Sequence, residues 1–535
     1  MTIQFPQLAV GDWISAAARK WPNSPCFVSP IGALSDVRQV RTQSFYETNQ
    51  RVTKLAHAFD SAGLQVGDRI AILAVDSIEH IEVILACAKA GLTYCDLNFR
   101  LREEEILNIL RRSPVSALFY NKRYLDAANK IKSEIESLTF TCCIDGDSAE
   151  SEFEMLMRAI PMAVEYTAKS RSEDTLSIMF TSGTTSIPKG VLQSERMMRN
   201  IVYSFNREIR IQPGGLQYSG ASLFHISGIC SIFHALLAGR TSLILPQFDA
   251  VAVQKWLSAG QVTSCTLIPT MISEILEIPG ADQDNYDSLQ SILYGGSAMS
   301  PTLLMKMMNV FDCDLYNGLG AGTEAGIQTM LYPEDHRAAA SGLTHLFSSI
   351  GRPIMGVDLR LCDDEMRDVD EGEIGEIVTR SETIMSGYLG QPELTARSIV
   401  DGWFRAGDMA YRDSDGYLYL ATRKSDMIIR GGENVYPVEI ESVISEHPAV
   451  LEVAVVGIPN EHWGEIVAAA IAFRKGESAT TEEIQSLCRS KLATYKIPEK
   501  VFAYESLPKN STNKIVKSEV AKMVLVDIGH IGDTD

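Results

Sequence analysis

The chain has 535 residues, of which 45% are hydrophobic, so it is long enough to bury more than one core. Its formal net charge of −20 argues against nucleic acid as a partner, because a phosphate backbone needs a basic binding surface. The longest purely apolar stretch, residues 467–473, is too short to cross a bilayer, and the N-terminus lacks a secretory signal, so a cytoplasmic protein is expected.

The apolar patterns predict an α/β protein. Residues 69–74 have the pattern of a buried strand, and the spacing of Ile78, Ile81, Ile84 and Leu85 predicts a helix that covers it. Similar alternation between 241 and 294 predicts parallel sheets, and the Gly-rich segment 357–420 predicts a small β-rich subdomain. We therefore expect a large N-terminal domain, residues 1–424, with two parallel-sheet subdomains and the β-rich subdomain. A small, hinged α+β domain, residues 425–535, is expected to follow.

A loop rich in hydroxyl groups and glycine follows the apolar run 176–180 and predicts a phosphate site. Glycine lets a backbone approach an anion closely, hydroxyls donate hydrogen bonds, and a lysine adds positive charge. The common P-loop is excluded because Pro188 and Gly190 flank the lysine. The candidate phosphate ligands are Thr181, Ser182, Gly183, Thr184, Thr185 and Lys189.

This loop resembles the phosphate signature of the adenylate-forming superfamily, which includes acyl-CoA synthetases, adenylation domains and firefly luciferase. Four further segments resemble motifs of that family in the expected order: 222–225, 403–408, 422–434 and 507–515. The resemblance spans most of the chain and is closest to acyl-CoA synthetases. It implies an enzyme, an AMP-forming acid–thiol ligase that uses ATP, Mg²⁺ and CoA.

The resemblance also implies a role for each matched residue. Lys514 would bridge the attacking carboxylate and the α-phosphate, Thr323 would contact that phosphate, and Glu324 would ligate the magnesium ion. Asp408 and Arg423 would bind the ribose. The remaining implied site residues are His225 beside the acyl carboxylate, Gly295, Gly296 and Gly320 beside the acyl and adenine sites, and Gly431 and Gly432 at the thiol tunnel.

Three of these assignments have alternatives. His225, judged by itself, is more often a satisfied core histidine, and the Gly431–Gly432 pair also fits a hairpin turn. Gly320 stands where the family usually has an aromatic residue that stacks on adenine, so either that platform is absent or Tyr316 or Leu319 serves. The small side chains at 295–296 and 320–322 predict a roomy pocket for a bulky acid.

The sequence leaves the acyl acceptor open between two ligases. One joins a carboxylic acid to CoA through an acyl-adenylate and releases AMP and pyrophosphate. The other loads the acyl group onto the phosphopantetheine of a carrier protein. A non-catalytic nucleotide- or acyl-binding relative is disfavoured because Lys514, Glu324 and Asp408 are all present. The identity of the acid and the oligomeric state are not determined by these motifs.

Overall fold

The structure, a computed structural model, describes residues 8–145, 151–160, 165–181, 188–210, 213–297, 299–431, 433–460, 462–510 and 514–532. Within these ranges, each helix is too short or too polar to span a membrane.

Strands and helices alternate along most of the chain. The strands are β1 (Pro25–Pro30), β2 (Val40–Ser44), β3 (Arg69–Leu73), β4 (Thr93–Asp96), β5 (Ala117–Tyr120), β6 (Phe140–Cys143), β7 (Thr175–Thr181), β8 (Lys189–Ser194), β9 (Leu216–Ser219), β10 (Thr241–Leu243), β11 (Val262–Leu267), β12 (Ser291–Gly295), β13 (Asp314–Leu319), β14 (Thr329–Leu331), β15 (Arg352–Pro353), β16 (Asp358–Cys362), β17 (Gly375–Arg380), β18 (Gly387–Tyr388), β19 (Ile399–Val400), β20 (Trp403–Arg412), β21 (Leu418–Arg423), β22 (Ile428–Arg430), β23 (Glu433–Val435), β24 (Val450–Asn460), β25 (Gly464–Phe473) and β26 (Lys500–Tyr504). The helices are α1 (Trp13–Lys20), α2 (Phe45–Ser61), α3 (Ile78–Ala90), α4 (Glu103–Arg112), α5 (Leu125–Glu134), α6 (Glu152–Arg158), α7 (Glu195–Glu208), α8 (Ile226–Ala238), α9 (Ala250–Ser258), α10 (Pro269–Leu276), α11 (Pro301–Phe311), α12 (Pro333–Ala340), α13 (Pro392–Ser398), α14 (Pro437–Ile444), α15 (Thr481–Arg489) and α16 (Lys517–Gly532).

Two large sheets form the N-terminal part of the molecule. One has the order β15-β14-β13-β12-β11-β9-β10-β1-β2, and its strands from β13 to β1 are parallel. The other has the order β18-β8-β7-β4-β3-β5-β6, with β7, β4, β3, β5 and β6 parallel. Since parallel strands need helical crossovers, this order confirms the predicted α/β fold.

Helices between the two sheets form the largest core. Every residue of α3 is buried, and α8 is buried along most of its length, so both helices are covered on nearly all sides. Each begins at a side-chain cap, from Ser77 and His225, and ends at a glycine with positive φ, Gly91 and Gly239. The local sequence therefore sets both helix boundaries, and packing between sheets sets their burial.

The C-terminal third consists of two smaller sheets. The first is antiparallel, with the order β16-β17-β20-β19 and β21 paired to β20, which confirms the predicted β-rich subdomain. The second has the order β23-β22-β25-β24, with β26 parallel to β25. The helices α14, α15 and α16 pack with this sheet, so the segment has the predicted α+β composition. The exact boundary at residue 425 stays a prediction.

Candidate active site

The predicted phosphate loop joins two paired strands. β7 ends at Thr181 and β8 begins at Lys189, and these two residues lie opposite each other in the antiparallel pair. Ser182, Gly183, Thr184 and Thr185 lie outside the described residues. The Lys189 ammonium lies 5.4 Å from the ring centroid of Tyr388, a distance at which the aromatic face attracts a cation. Both ends of the loop are thus fixed on a sheet.

Hydrogen bonds through β8 connect this loop to the Thr323–Glu324 segment. Gln193 of β8 donates from Nε2 to the carbonyl oxygen of Thr323 at 2.8 Å, and its Oε1 accepts from Ser177 of β7 at 2.6 Å. All three groups are buried. A buried amide that is satisfied on both ends positions its partners rigidly, so the two predicted phosphate-binding segments are held in a constant relation.

Glu324 is a half-buried carboxylate of the site. Tyr388 donates its hydroxyl to Oε1 at 3.3 Å, and burial raises the pKa of Glu324, opposed by that hydrogen bond and by the charges of Lys189 and Arg423. A carboxylate in this environment gains stability from an added cation. In the part of the chain that the structure describes, no group of three or more His, Cys, Asp or Glu side chains could hold a metal ion.

Lys514 reaches the same site from the C-terminal segment. Its backbone N–H donates to Asn510 Oδ1 at 2.9 Å, and its carbonyl accepts from the Asn510 N–H at 2.8 Å, so two hydrogen bonds to Asn510 hold the backbone of this residue. Burial lowers the pKa of Lys514, assisted by Arg423 and opposed by Asp408 and Glu324. The ammonium nitrogen lies 4.0 Å from the position that a Cβ would take at Gly296. The structure therefore brings the predicted terminal lysine to the end of β12.

Asp408 and Arg423 lie opposite each other on β20 and β21. Arg423 Nε lies 3.3 Å from Asp408 Oδ1, and the arginine side chain is 65% exposed while the aspartate is buried. Burial raises the pKa of Asp408, whereas Arg423 and Lys514 lower it. The two residues predicted to bind ribose are thus adjacent, and both act electrostatically on Lys514.

His225 lies at the start of α8. Its Nδ1 accepts from the backbone N–H of Ser227 at 3.2 Å, so the ring caps the helix. Burial lowers the pKa of His225 to about 4, and the nearby charge of Lys514 contributes. The imidazole is therefore neutral at pH 7 and keeps Nε2 for another partner. The structure gives His225 a capping role and also places it near Lys514.

The glycines at 295 and 320 correct the prediction of a roomy pocket. A Cβ at Gly295 would lie 2.4 Å from the carbonyl oxygen of Gly318, and one at Gly320 would lie 2.0 Å from that of Gly326. Backbone therefore occupies the space that these side chains leave, and that prediction is wrong for both positions. The same contact explains why Gly320 cannot be the usual aromatic residue.

Gly431 lies in the turn between β22 and β23. Arg430 pairs with Glu433 across this hairpin, Gly431 has φ +59°, and a Cβ there would lie 2.8 Å from the Trp463 ring. The hairpin alternative is thus confirmed for Gly431. Gly432 lies outside the described residues, and its place at a thiol tunnel stays a prediction.

Two contributors to the site were not predicted. Tyr388 contacts both Glu324 and Lys189, and Gln193 links β7 to Thr323. Tyr388 follows Ser386-Gly387 in a short strand, and no spacing or composition near it marks it as functional. Its place depends on β18 pairing with β8, which is a long-range contact.

Known proteins resemble this chain along almost its whole length. It is 31% identical over 486 residues to the fatty acid–[acyl-carrier-protein] ligase ScoC of Streptomyces coeruleorubidus, covering 90% of this chain and 91% of that protein. It is also 31% identical over 510 residues to the long-chain-fatty-acid–CoA ligase FadD13 of Mycobacterium tuberculosis, covering 95% and 97%.

A solved structure agrees with these relatives. The o-succinylbenzoate CoA synthetase of Bacillus subtilis, in complex with the acyl-adenylate intermediate OSB-AMP, superposes with a TM-score of 0.82 at 27% identity, covering 95% of this chain and 97% of that one. The AMP-binding enzyme family matches residues 14–389, and the AMP-binding enzyme C-terminal domain matches residues 439–514. With the site described above, these matches show that the chain belongs to the AMP-binding enzyme family, the adenylate-forming enzymes.

Proposed function

We propose that this protein is an ATP-dependent carboxylic acid–CoA ligase that works through an acyl-adenylate and releases AMP and pyrophosphate. The observation that carries the proposal is the position of Lys514. This lysine belongs to the C-terminal segment, yet it is half-buried and interacts electrostatically with Asp408, Glu324 and His225 of the N-terminal part. A half-buried ammonium between these groups is suited to bring two anionic reactants together.

The residues divide the first half-reaction among them. A carboxylate oxygen attacks the α-phosphorus of ATP, the bond from that phosphorus to the bridging oxygen breaks, and pyrophosphate leaves. Lys514 neutralises both the carboxylate and the α-phosphate, and the hydroxyl of Thr323 contacts that phosphate. Asp408 accepts hydrogen bonds from the ribose hydroxyls, and Arg423 contacts the ribose from the adjacent strand.

Mg²⁺ fits the chemistry of Glu324. A hard cation that bridges phosphate oxygens needs few protein ligands, and a single carboxylate meets this requirement. The raised pKa of Glu324 reflects a buried charge that a cation would compensate. Glu324 would hold the ion, which would neutralise charge on the triphosphate, and the 181–189 loop with Lys189 would hold the β- and γ-phosphates.

In the second half-reaction a thiol sulfur attacks the acyl carbon, and AMP leaves with the former carboxylate oxygen. We propose free CoA as the acceptor, with residues 425–535 rotating about Ser425 so that the hairpin at Gly431 and Gly432 borders the thiol path. Carrier-protein phosphopantetheine is the second candidate. It is favoured by one observation, the 31% identity to an acyl-carrier-protein ligase over 90% of this chain.

A panel of carboxylic acids tests the function and identifies the acid. Pyrophosphate release is measured with ATP and Mg²⁺, first without a thiol, then with CoA, and then with a phosphopantetheinylated carrier protein. The proposal expects acid-dependent release that CoA accelerates, together with thioester formation. Acceleration of pyrophosphate release by the carrier protein but not by CoA would support the carrier-protein ligase. Adenine-nucleotide binding with no pyrophosphate release from any acid would contradict both ligases.

A further inference from the structure

The described part of the chain contains a small cavity between α7, α8 and the sheet strands β9, β11 and β12. Its volume is about 10 Å³, enough for one water molecule or one small substituent. The polar residues that line this cavity are His234 of α8, Gln217 and Tyr218 of β9, and Ser264 and Thr266 of β11. Phe205 and Leu293 contribute apolar walls.

His234 has no hydrogen-bond partner on either ring nitrogen in the described structure, although only 3% of the residue is exposed. Leaving a buried polar group unpaired is costly, and native proteins rarely keep one without a reason. Burial lowers the pKa of His234 to about 3, helped by the charge of Arg240. The ring is therefore neutral near pH 7, with one nitrogen that donates and one that accepts.

The cavity is close to the site described above. Along α8, Ser227, Ser231 and His234 have the spacing i, i+4, i+7, so they share one face of the helix. The backbone N–H of Ser227 donates a hydrogen bond to the ring of His225, and the hydroxyl of Ser231 accepts one from the Gln217 amide at 2.9 Å. At 1.5 Å per residue, His234 lies about 10 Å along the helix from Ser227. A polar face thus runs from His225 to the cavity.

The strands give a similar distance. Leu293 pairs with Thr266, and both line the cavity. Leu293 precedes Gly295, the last residue of β12, by two residues or about 7 Å. The next residue, Gly296, faces Lys514, with 4.0 Å between its virtual Cβ and the ammonium nitrogen. Leu293 is three residues from Gly296, about 10 Å, and His234 is nine residues from His225, about 13 Å along the helix. A group held at the cavity would therefore lie about 10–13 Å from the reacting carboxylate.

We propose that His234 is a specificity-determining residue that pairs with a neutral polar substituent, a hydroxyl or carbonyl, located about 10–13 Å from the carboxylate of the acyl substrate. This inference rests on the proposed ligase function and names the class of acid that the enzyme prefers. A neutral imidazole can donate a hydrogen bond to a hydroxyl from one nitrogen or accept one from it at the other. The cavity has room for one such group. A methyl group there would leave both ring nitrogens unpaired, and enzymes discriminate strongly on this basis.

The experiment compares pairs of acids that differ only by a hydroxyl or a methyl group at that distance. The starting pairs are 9-hydroxynonanoate with decanoate, and 6-(4-hydroxyphenyl)hexanoate with 6-(4-methylphenyl)hexanoate. Further pairs are built on the best skeleton of the acid panel. The kcat/KM for pyrophosphate release is measured for each acid. We expect the wild-type enzyme to favour the hydroxylated member by about tenfold or more.

Two variants and a control assign the preference to His234. His234→Leu should lose or reverse the preference without a lower Tm, since it removes an unpaired buried polar group, and His234→Gln should retain its direction. Ile209→Val changes an apolar wall of the same cavity and should leave the preference in place. If His234→Leu does not fold, the wild-type and His234→Gln ratios still decide the outcome.

The two ways of failing are distinguishable. If no acid supports pyrophosphate release, the ligase proposal fails. If acids are activated but the wild-type enzyme treats the best-skeleton pair alike, or favours the methyl member, the ligase proposal stands and the inference about His234 is overturned. Equal treatment would assign the cavity to a resident water. A preference that persists unchanged in His234→Leu would also overturn the inference.

Discussion

The charge of Lys514 gives the most direct test of the proposed mechanism. Replacing it in Lys514→Ala leaves the carboxylate and the α-phosphate to approach each other without compensation. For one unit charge at about 4 Å in an effective dielectric of about 20, the Coulomb energy is about 4 kcal/mol. This corresponds to a loss of about 10³-fold in the rate of adenylation. Since two anions are involved, we regard this value as the lower bound.

Acid-dependent exchange between ATP and pyrophosphate measures this half-reaction alone. Conversion of supplied acyl-adenylate to thioester measures the other, and it should remain within a few-fold of wild type in Lys514→Ala. Lys522→Ala is the matched control, because Lys522 lies nearby in α16 with a side chain that is 70% exposed. The control should keep normal exchange. Exchange within about fivefold of wild type in Lys514→Ala would refute the assignment of this lysine.

Three further predictions follow from the charges and contacts. Asp408→Asn removes a negative charge that raises the pKa of Lys514. The fall of kcat for exchange at alkaline pH, measured at saturating ATP, should therefore occur at lower pH than in the wild type. An unchanged pH profile would contradict this electrostatic interaction between Asp408 and Lys514. Burial lowers the pKa of His336 to about 4, whereas about 6.5 is expected in the unfolded chain. The unfolded chain therefore binds a proton at a higher pH than the folded one, so the stability that His336 contributes above pH 6.5 should be lost as the pH falls towards 4. The decrease in Tm between pH 7 and 5 should be smaller in His336→Gln, and an equal decrease would exclude this contribution. Gly320→Ala should cost about 3 kcal/mol of stability, because the added Cβ overlaps with the backbone at Gly326. In Gly318→Ala the added Cβ meets the end of a side chain at 3.2 Å, so Tm should fall less. Equal losses of Tm would refute the close backbone contact at Gly320.

Much of the architecture could be predicted from local patterns. The strand at 69–74 and the helix from Ile78 correspond to β3 and α3, because a period of two or of 3.6 in apolar residues follows directly from backbone geometry. The hydroxyl-rich loop after 176–180 likewise begins where β7 ends. These features depend on neighbouring residues only.

Predictions about open space did not follow from residue size. The absence of side chains at Gly295 and Gly320 predicted space for the acyl group of a bulky acid. The backbone carbonyls of Gly318 and Gly326 occupy that space. A small side chain indicates close approach, but the sequence does not say whether a ligand or another strand makes that approach. Tyr388 was missed for a related reason, since only the pairing of β18 with β8 brings it to the loop.

The sequence by itself determined the family, the chemical groups and their order along the chain, because short motifs carry the residue types that phosphate and carboxylate chemistry requires. Only the tertiary structure decided which of those groups meet. It brought Lys514 to Asp408 and Glu324, linked Thr323 to β8 through Gln193, and left His234 unpartnered in a cavity. The physical reason is that burial and pairing between distant positions depend on how sheets and helices pack, and local sequence patterns do not specify that packing.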